Sequence, residues 1–177
     1  MERVIFGVKL EFVKGDIASQ SDITAVVNAA NAQLRIGGGV AGAIHRAAGP
    51  ELEKECRPLA PISPGEAVIT DGYRLSNEYV IHCLGPVYGR DKPADKLLSD
   101  CYKNALELAE ENKIESIAFP AISTGAFGYP IEAATKVALD TVLEKLSELE
   151  KVETIRFVLY SKRDLDVYKK VFSEMTD

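Results

Sequence analysis

SIAFPAISTGAFGYP, residues 116–130, runs from a short apolar stretch into a loop with two glycines and ends on a proline. A brief apolar run bounded by turn residues reads as a buried strand. Downstream, Ile131 to Leu149 places Ala134, Val137, Ala138, Thr141, Val142 and Leu146 on one face of a helix. The unit is therefore strand, glycine loop, helix. The same order occurs earlier in the chain. TAVVN (24–28) reads as a strand, Gly37-Gly38-Gly39 as a loop, and Val40 to Ala48 as a helix stopped by Gly49-Pro50. Working outward, further strands are expected at 4–13, 66–71, 79–84 and 154–160. Helices are expected at Glu51–Arg57, from about Asp164 to Glu174, and from Ala94 to Asn112. The last of these brings Leu97, Leu98, Cys101, Tyr102, Ala105, Leu108 and Ala109 to one side. Strands alternating with helices imply an α/β fold with a mostly parallel sheet covered on both faces. Such sheets bind ligands at the carboxyl ends of their strands, where both glycine loops fall.

The 177 residues suit one domain spanning 1–177. No apolar run reaches the roughly 20 residues of a membrane span, and the acidic, alternating start is unlike a signal peptide. The three cysteines, Cys56, Cys83 and Cys101, form no CxxC pair, which argues against a disulfide framework and for a reducing cytoplasm. A net charge of −6 disfavours binding to a nucleic-acid backbone, which needs a basic face. An acidic chain that binds phosphate needs local donors, and main-chain N–H groups supply them.

The loop NAANAQLRIGGGVAGAIHRAAG (28–49) matches neither GxGxxG nor GxxxxGK[ST]. Its three glycines can let the backbone approach an anion at a helix start, or simply form a tight turn. Asn28 and Asn31 can brace this loop or contact a sugar hydroxyl. In the second loop, Ser123, Thr124, Gly125, Ala126 and Phe127 can present successive N–H groups and two hydroxyls to a phosphate. Phe127, an apolar residue between glycines, either covers a ligand or lids the core. Together the loops suggest a diphosphate held from both sides. Asp16 can cap a turn, or accept from a purine amino group with the Ile17 N–H beside it. Tyr160 can cover a purine face or close the strand end as a core aromatic. His45 lies one turn after Ala41, and His82 reads as a core residue inside an apolar strand. Neither has carboxylates or cysteines at metal-ligand spacing, so no metal site and no cofactor are expected. Ser123 lacks a histidine partner in its loop, which argues against a hydrolase triad.

The segments GDI (15–17), VVNAANAQL (26–34), GGGVAGAIHRAAG (37–49), YVIHCLGP (79–86) and SIAFPAISTGAFGYP (116–130) resemble macro domains, nearest the MacroD-type branch. The resemblance covers nearly the whole chain. It implies a three-layer αβα sandwich with a mixed, mostly parallel sheet, ADP-ribose as ligand, and mono-ADP-ribosylated proteins as partners. It also implies hydrolysis of ADP-ribosyl esters, including O-acetyl-ADP-ribose. By that resemblance Asp16 and the Ile17 backbone take adenine, with Tyr160 where some relatives stack an aromatic. Gly37, Gly38, Gly39 and Val40 form one diphosphate loop, and Ser123 to Ala126 the other. Phe127 packs on the distal ribose. Asn31 holds its hydroxyls and is the candidate catalytic residue, acting with the loop backbones and a bound water. Asn28 belongs to the same ligand-binding set. The chain departs from the family at Ala41, where MacroD-type hydrolases usually carry an aspartate. That departure sets a second reading, an ADP-ribose binder without useful turnover, beside the first.

Overall fold

In a computed structural model describing residues 1–177, the apolar runs become seven strands. These are β1 (Glu2–Ile5), β2 (Val8–Lys14), β3 (Ala25–Ala29), β4 (Ala67–Asp71), β5 (Tyr79–Cys83), β6 (Ser116–Phe119) and β7 (Thr154–Leu159). They form one sheet in the order β1-β2-β7-β6-β3-β5-β4. The inner strands are mutually parallel, and β1 and β4 are antiparallel edges. One expectation is corrected here: residues 4–13 are not a single strand. Phe6 and Gly7 both take positive φ, 50° and 78°, and turn the chain into a hairpin pairing Ile5 with Val8. A two-residue turn of that kind matches the twist of its arms. Hydrophobic alternation runs through both arms, so periodicity alone hides the break.

Five α-helices follow: α1 (Gly39–Ala48), α2 (Pro50–Cys56), α3 (Ala94–Glu111), α4 (Ile131–Lys145) and α5 (Lys162–Thr176). α4 ends four residues earlier than its periodicity suggests, and Leu146–Glu148 tighten into a 3₁₀ turn. α5 begins earlier than expected because Ser161 Oγ accepts the Asp164 N–H at 3.1 Å, capping the first turn.

The helices divide the core in two. α3, α4 and α5 pack on one face over the larger cluster, which holds Phe12, Tyr102, Phe119, Phe157 and Tyr168. Phe12 stacks on Phe157 at 5.3 Å, and Tyr102 tilts against Phe119 at 5.1 Å. α1 and α2 cover the other face over a smaller cluster containing Val26, Ile44, Leu52, Val80 and Val158. The result is a three-layer sandwich. From β3 the chain departs toward β5, and from the neighbouring β6 it departs toward β7. Connections leaving in opposite directions open a crevice at the carboxyl ends of those two strands.

Candidate ligand-binding cleft

That crevice exists. A cleft of about 310 Å³ opens between the loops after β3, β5 and β6. Its walls include Asn31, Gly37, Gly38, Gly39 and Val40 from the first loop, and Ser123, Gly125, Ala126 and Phe127 from the second. Nine residues picked out from the sequence thus meet around one space.

The donors are mainly main-chain. α1 has no side-chain cap, and no protein acceptor takes the N–H groups of Gly38, Gly39, Val40 or Ala41. Those of Thr124, Gly125, Ala126 and Phe127 are equally free. Bare N–H groups at a helix start and in a glycine turn attract an anion. Gly39 takes φ +56°, a conformation glycine adopts without a side-chain clash, and nothing lies within 4 Å of where a Cβ would stand. Ser123 adopts φ +67° although it is not glycine. It is buried, and its Oγ has no hydrogen-bond partner. Holding a non-glycine residue there costs on the order of 1 kcal/mol or more, and such outliers gather at ligand sites. Gly85 also lines the cleft and packs against this loop: any side chain there would overlap Ser123 Oγ and lie 2.7 Å from the Ile122 methyl.

Asn31 reaches the cleft with its amide already engaged. Its Nδ2 donates to the Arg35 carbonyl at 2.8 Å, and its Oδ1 accepts the Arg35 N–H at 3.0 Å. One N–H and one lone pair of the amide are left over for a ligand. Phe127 is half-buried, packing on the smaller core while lining the cleft. Thr124 stands in the same loop but turns its hydroxyl to the Ala121 carbonyl at 2.9 Å.

Asn28 corrects an expectation. Its side chain is wholly buried and does not reach the cleft. Register sets it beside His82 on the face that holds Val26 and Val80, beneath α1 and α2. Its Nδ2 donates to His82 Nδ1 at 3.1 Å, which puts the ring proton on Nε2, facing Thr70 Oγ1 at 2.9 Å. Burial, and secondarily His45, hold the His82 pKa down to about 3. Burial also lowers that of His45, whose Nε2 is unpartnered. Ala41 is buried one turn before His45 and lines the cleft.

Asp16, Ile17 and Tyr160 stand apart from the cleft, at the carboxyl ends of the adjacent strands β2 and β7. Asp16 Oδ1 accepts the Ala18 N–H at 2.9 Å, capping a turn, while the second oxygen faces solvent. The Ile17 side chain is buried and its N–H is free. Tyr160 is 86% exposed, which removes the core-aromatic reading.

Sequence reasoning missed what holds this corner. Arg156 on β7 donates to Glu11 at 2.9 Å, to Asp22 at 2.7 and 2.8 Å, and to Gln20 Oε1 at 2.9 Å. Gln20 Nε2 then donates to the Asp16 carbonyl at 2.8 Å. The Arg156 guanidinium holds the Asp22 carboxyl down to about 2. Nothing in the spacing of these residues marks them, because they meet only when β2 and β7 pair. Gly85 was also missed, although a Gly-Pro just after a strand is a signal for close backbone approach.

The fold and cleft define a class: an α/β domain with a crevice at its switch point, lined by free main-chain N–H groups. The chain belongs to the macro domain family, whose model, described as "Macro domain", matches residues 27–138. A macro domain-containing protein of Chlorobaculum tepidum is 49% identical, covering 94% of this chain and 96% of its own length. The O-acetyl-ADP-ribose deacetylase of Citrobacter rodentium is 43% identical over 96% of this chain and 98% of its own. A mutant macrodomain of Oceanobacillus iheyensis, solved with ADPR, superposes with a TM-score of 0.94. It is 40% identical and covers 99% of this chain and 97% of its own.

Proposed function

We propose that the chain, as one macro domain over 1–177, binds ADP-ribose and hydrolyses ADP-ribosyl esters slowly. The observation that carries the reading is the double row of unengaged N–H groups on residues lining one cleft, Gly38–Ala41 on one side and Gly125–Phe127 on the other. A diphosphate fits between them, with the distal ribose at Asn31 and Phe127 and adenine reaching Asp16, the Ile17 N–H and Tyr160. The relatives support the choice of nucleotide: one is solved with ADPR, and another is named a deacetylase of O-acetyl-ADP-ribose. In the reaction, water adds across the ester, releasing the carboxylate and leaving the hydroxyl on the distal ribose. Asn31 orients that ribose, and the ligand's own phosphate helps place the water. A reducing cytoplasm belongs to the same reading, supported by three buried free thiols.

Calorimetry tests it. ADP-ribose should bind in the micromolar range, about −8 kcal/mol, and much more tightly than AMP. Equal affinity for the two would remove the diphosphate clasp. Ala41 favours a second reading, a binder without turnover, because a methyl group cannot hold or activate water. Single-turnover assay on a glutamate-linked mono-ADP-ribosylated protein separates the two readings.

A further inference from the structure

The order of the strands gives the ligand a direction. The Asp16–Tyr160 corner sits over β2 and β7, and the cleft over β6, β3 and β5. With strands about 4.8 Å apart, a nucleotide whose adenine lies at the corner points its distal ribose toward β3 and β5. Whatever is joined to that ribose leaves the protein over the loops that follow those two strands.

Those loops carry exposed apolar side chains next to residues that line the cleft. Ile36, just before the cleft-lining Gly37, is 52% exposed. Tyr88, in the loop after β5, is 49% exposed. It is fixed to the other wall: its N–H donates to the Phe127 carbonyl at 2.8 Å, and its ring lies 4.7 Å from that of Tyr129. Beside each stands an arginine. Arg35 has its main chain bonded to the Asn31 amide and is itself exposed. Arg90 has a side chain 74% exposed, and only Asp91, at 3.5 Å, is near it. The Asp91 carboxylate also accepts the Val87 N–H at 2.8 Å. Two exposed apolar groups with two arginines beside them in sequence, against the one carboxylate of Asp91, are unusual neighbours of a cleft in a chain of net charge −6.

We propose that this lip, formed by Arg35, Ile36, Tyr88 and Arg90, docks the polypeptide that carries the ADP-ribose, and that it selects segments with acidic residues beside the modified side chain. The apolar pair covers the backbone of the segment, and the arginines pair with its carboxylates. The inference rests on the nucleotide reading above and extends it from the ligand to the partner.

The test compares three probes on the full chain: free ADP-ribose, an acidic peptide bearing ADP-ribose through a hydrolysis-resistant linkage, and the same peptide with its flanking glutamates changed to glutamine. The acidic peptide should bind about tenfold more tightly than free ADP-ribose, and the neutral peptide should lose most of that gain. Ile36→Ser and Arg90→Glu should bring the acidic peptide close to free ADP-ribose while leaving free ADP-ribose itself unchanged. Added salt should narrow the acidic advantage alone. Equal affinity for peptide and free nucleotide would overturn the proposal, as would an acidic preference untouched by Arg90→Glu. So would concentration-dependent association that Ile36→Ser abolishes, since the lip would then serve a second copy of this chain. If free ADP-ribose fails to bind at all, the nucleotide reading falls first and the lip's assignment with it.

Discussion

Ala41 is the residue on which the proposed hydrolysis turns. It is 5% exposed, lines the cleft, ends one of the two rows of bare N–H groups, and stands one turn before His45, whose Nε2 is unpartnered. A carboxylate there could order and activate water near the distal ribose, and one positioned acid–base group is worth about 10²–10⁴ in rate. Ala41→Asp should therefore speed hydrolysis of a glutamate-linked ADP-ribosyl protein by up to about 10²-fold. It should also weaken ADP-ribose binding somewhat, because the new anion lies near the diphosphate. Single-turnover rates of the two proteins check this. A parent already as fast as Ala41→Asp would show that water is placed by other means.

At the scale of the element, the segment between β2 and β3 bears on the proposed adenine contact. It crosses the sheet from β2 past β7 and β6 and is held by Gln20 between Arg156 and the Asp16 carbonyl. Gln20→Leu removes two hydrogen bonds, but Arg156 keeps Asp22 and the Asp16 carbonyl keeps the Ser19 N–H at 3.0 Å. Stability should fall by only about 1 kcal/mol. Preference for ADP-ribose over inosine diphosphate ribose, which lacks the amino group, should drop roughly fivefold through loss of aim at Asp16. An unchanged preference would make Gln20 a structural residue only. This segment also marks the limit of what the sequence makes legible. The two loops could be read because glycine, small residues and strand ends leave a local signature. Asn28 was misread because a strand end looks alike whether its side chain turns to the cleft or to the core, and only pairing with His82 settles which. The Arg156 network left no local trace at all, its members being up to 145 residues apart.

Across the whole molecule, the buried His82 ties stability to pH. Its folded pKa of about 3 lies below the ordinary histidine value of 6.5, so the unfolded chain binds the extra proton first. The stabilisation is complete above about pH 6.5 and is lost as pH falls toward 3. One such proton costs about 2 kcal/mol between pH 6.5 and 5. Urea unfolding across that range should show the loss, and the His82 ring resonances of the folded protein should not titrate above about pH 4. A ring that titrates near 6.5 would mean that water reaches it.

The main-chain donors have a consequence for how such a protein can change over generations. A clasp made of N–H groups contains no side chain for a point mutation to delete, so random substitution leaves it standing provided the glycines stay. On the proposed reading, the carboxylate that would speed hydrolysis is a single side chain at position 41, which can be lost or regained while those N–H groups stay in place. If the proposed reading holds, a fast and a slow eraser of the same mark are neighbours in sequence space, separated by a single codon at position 41.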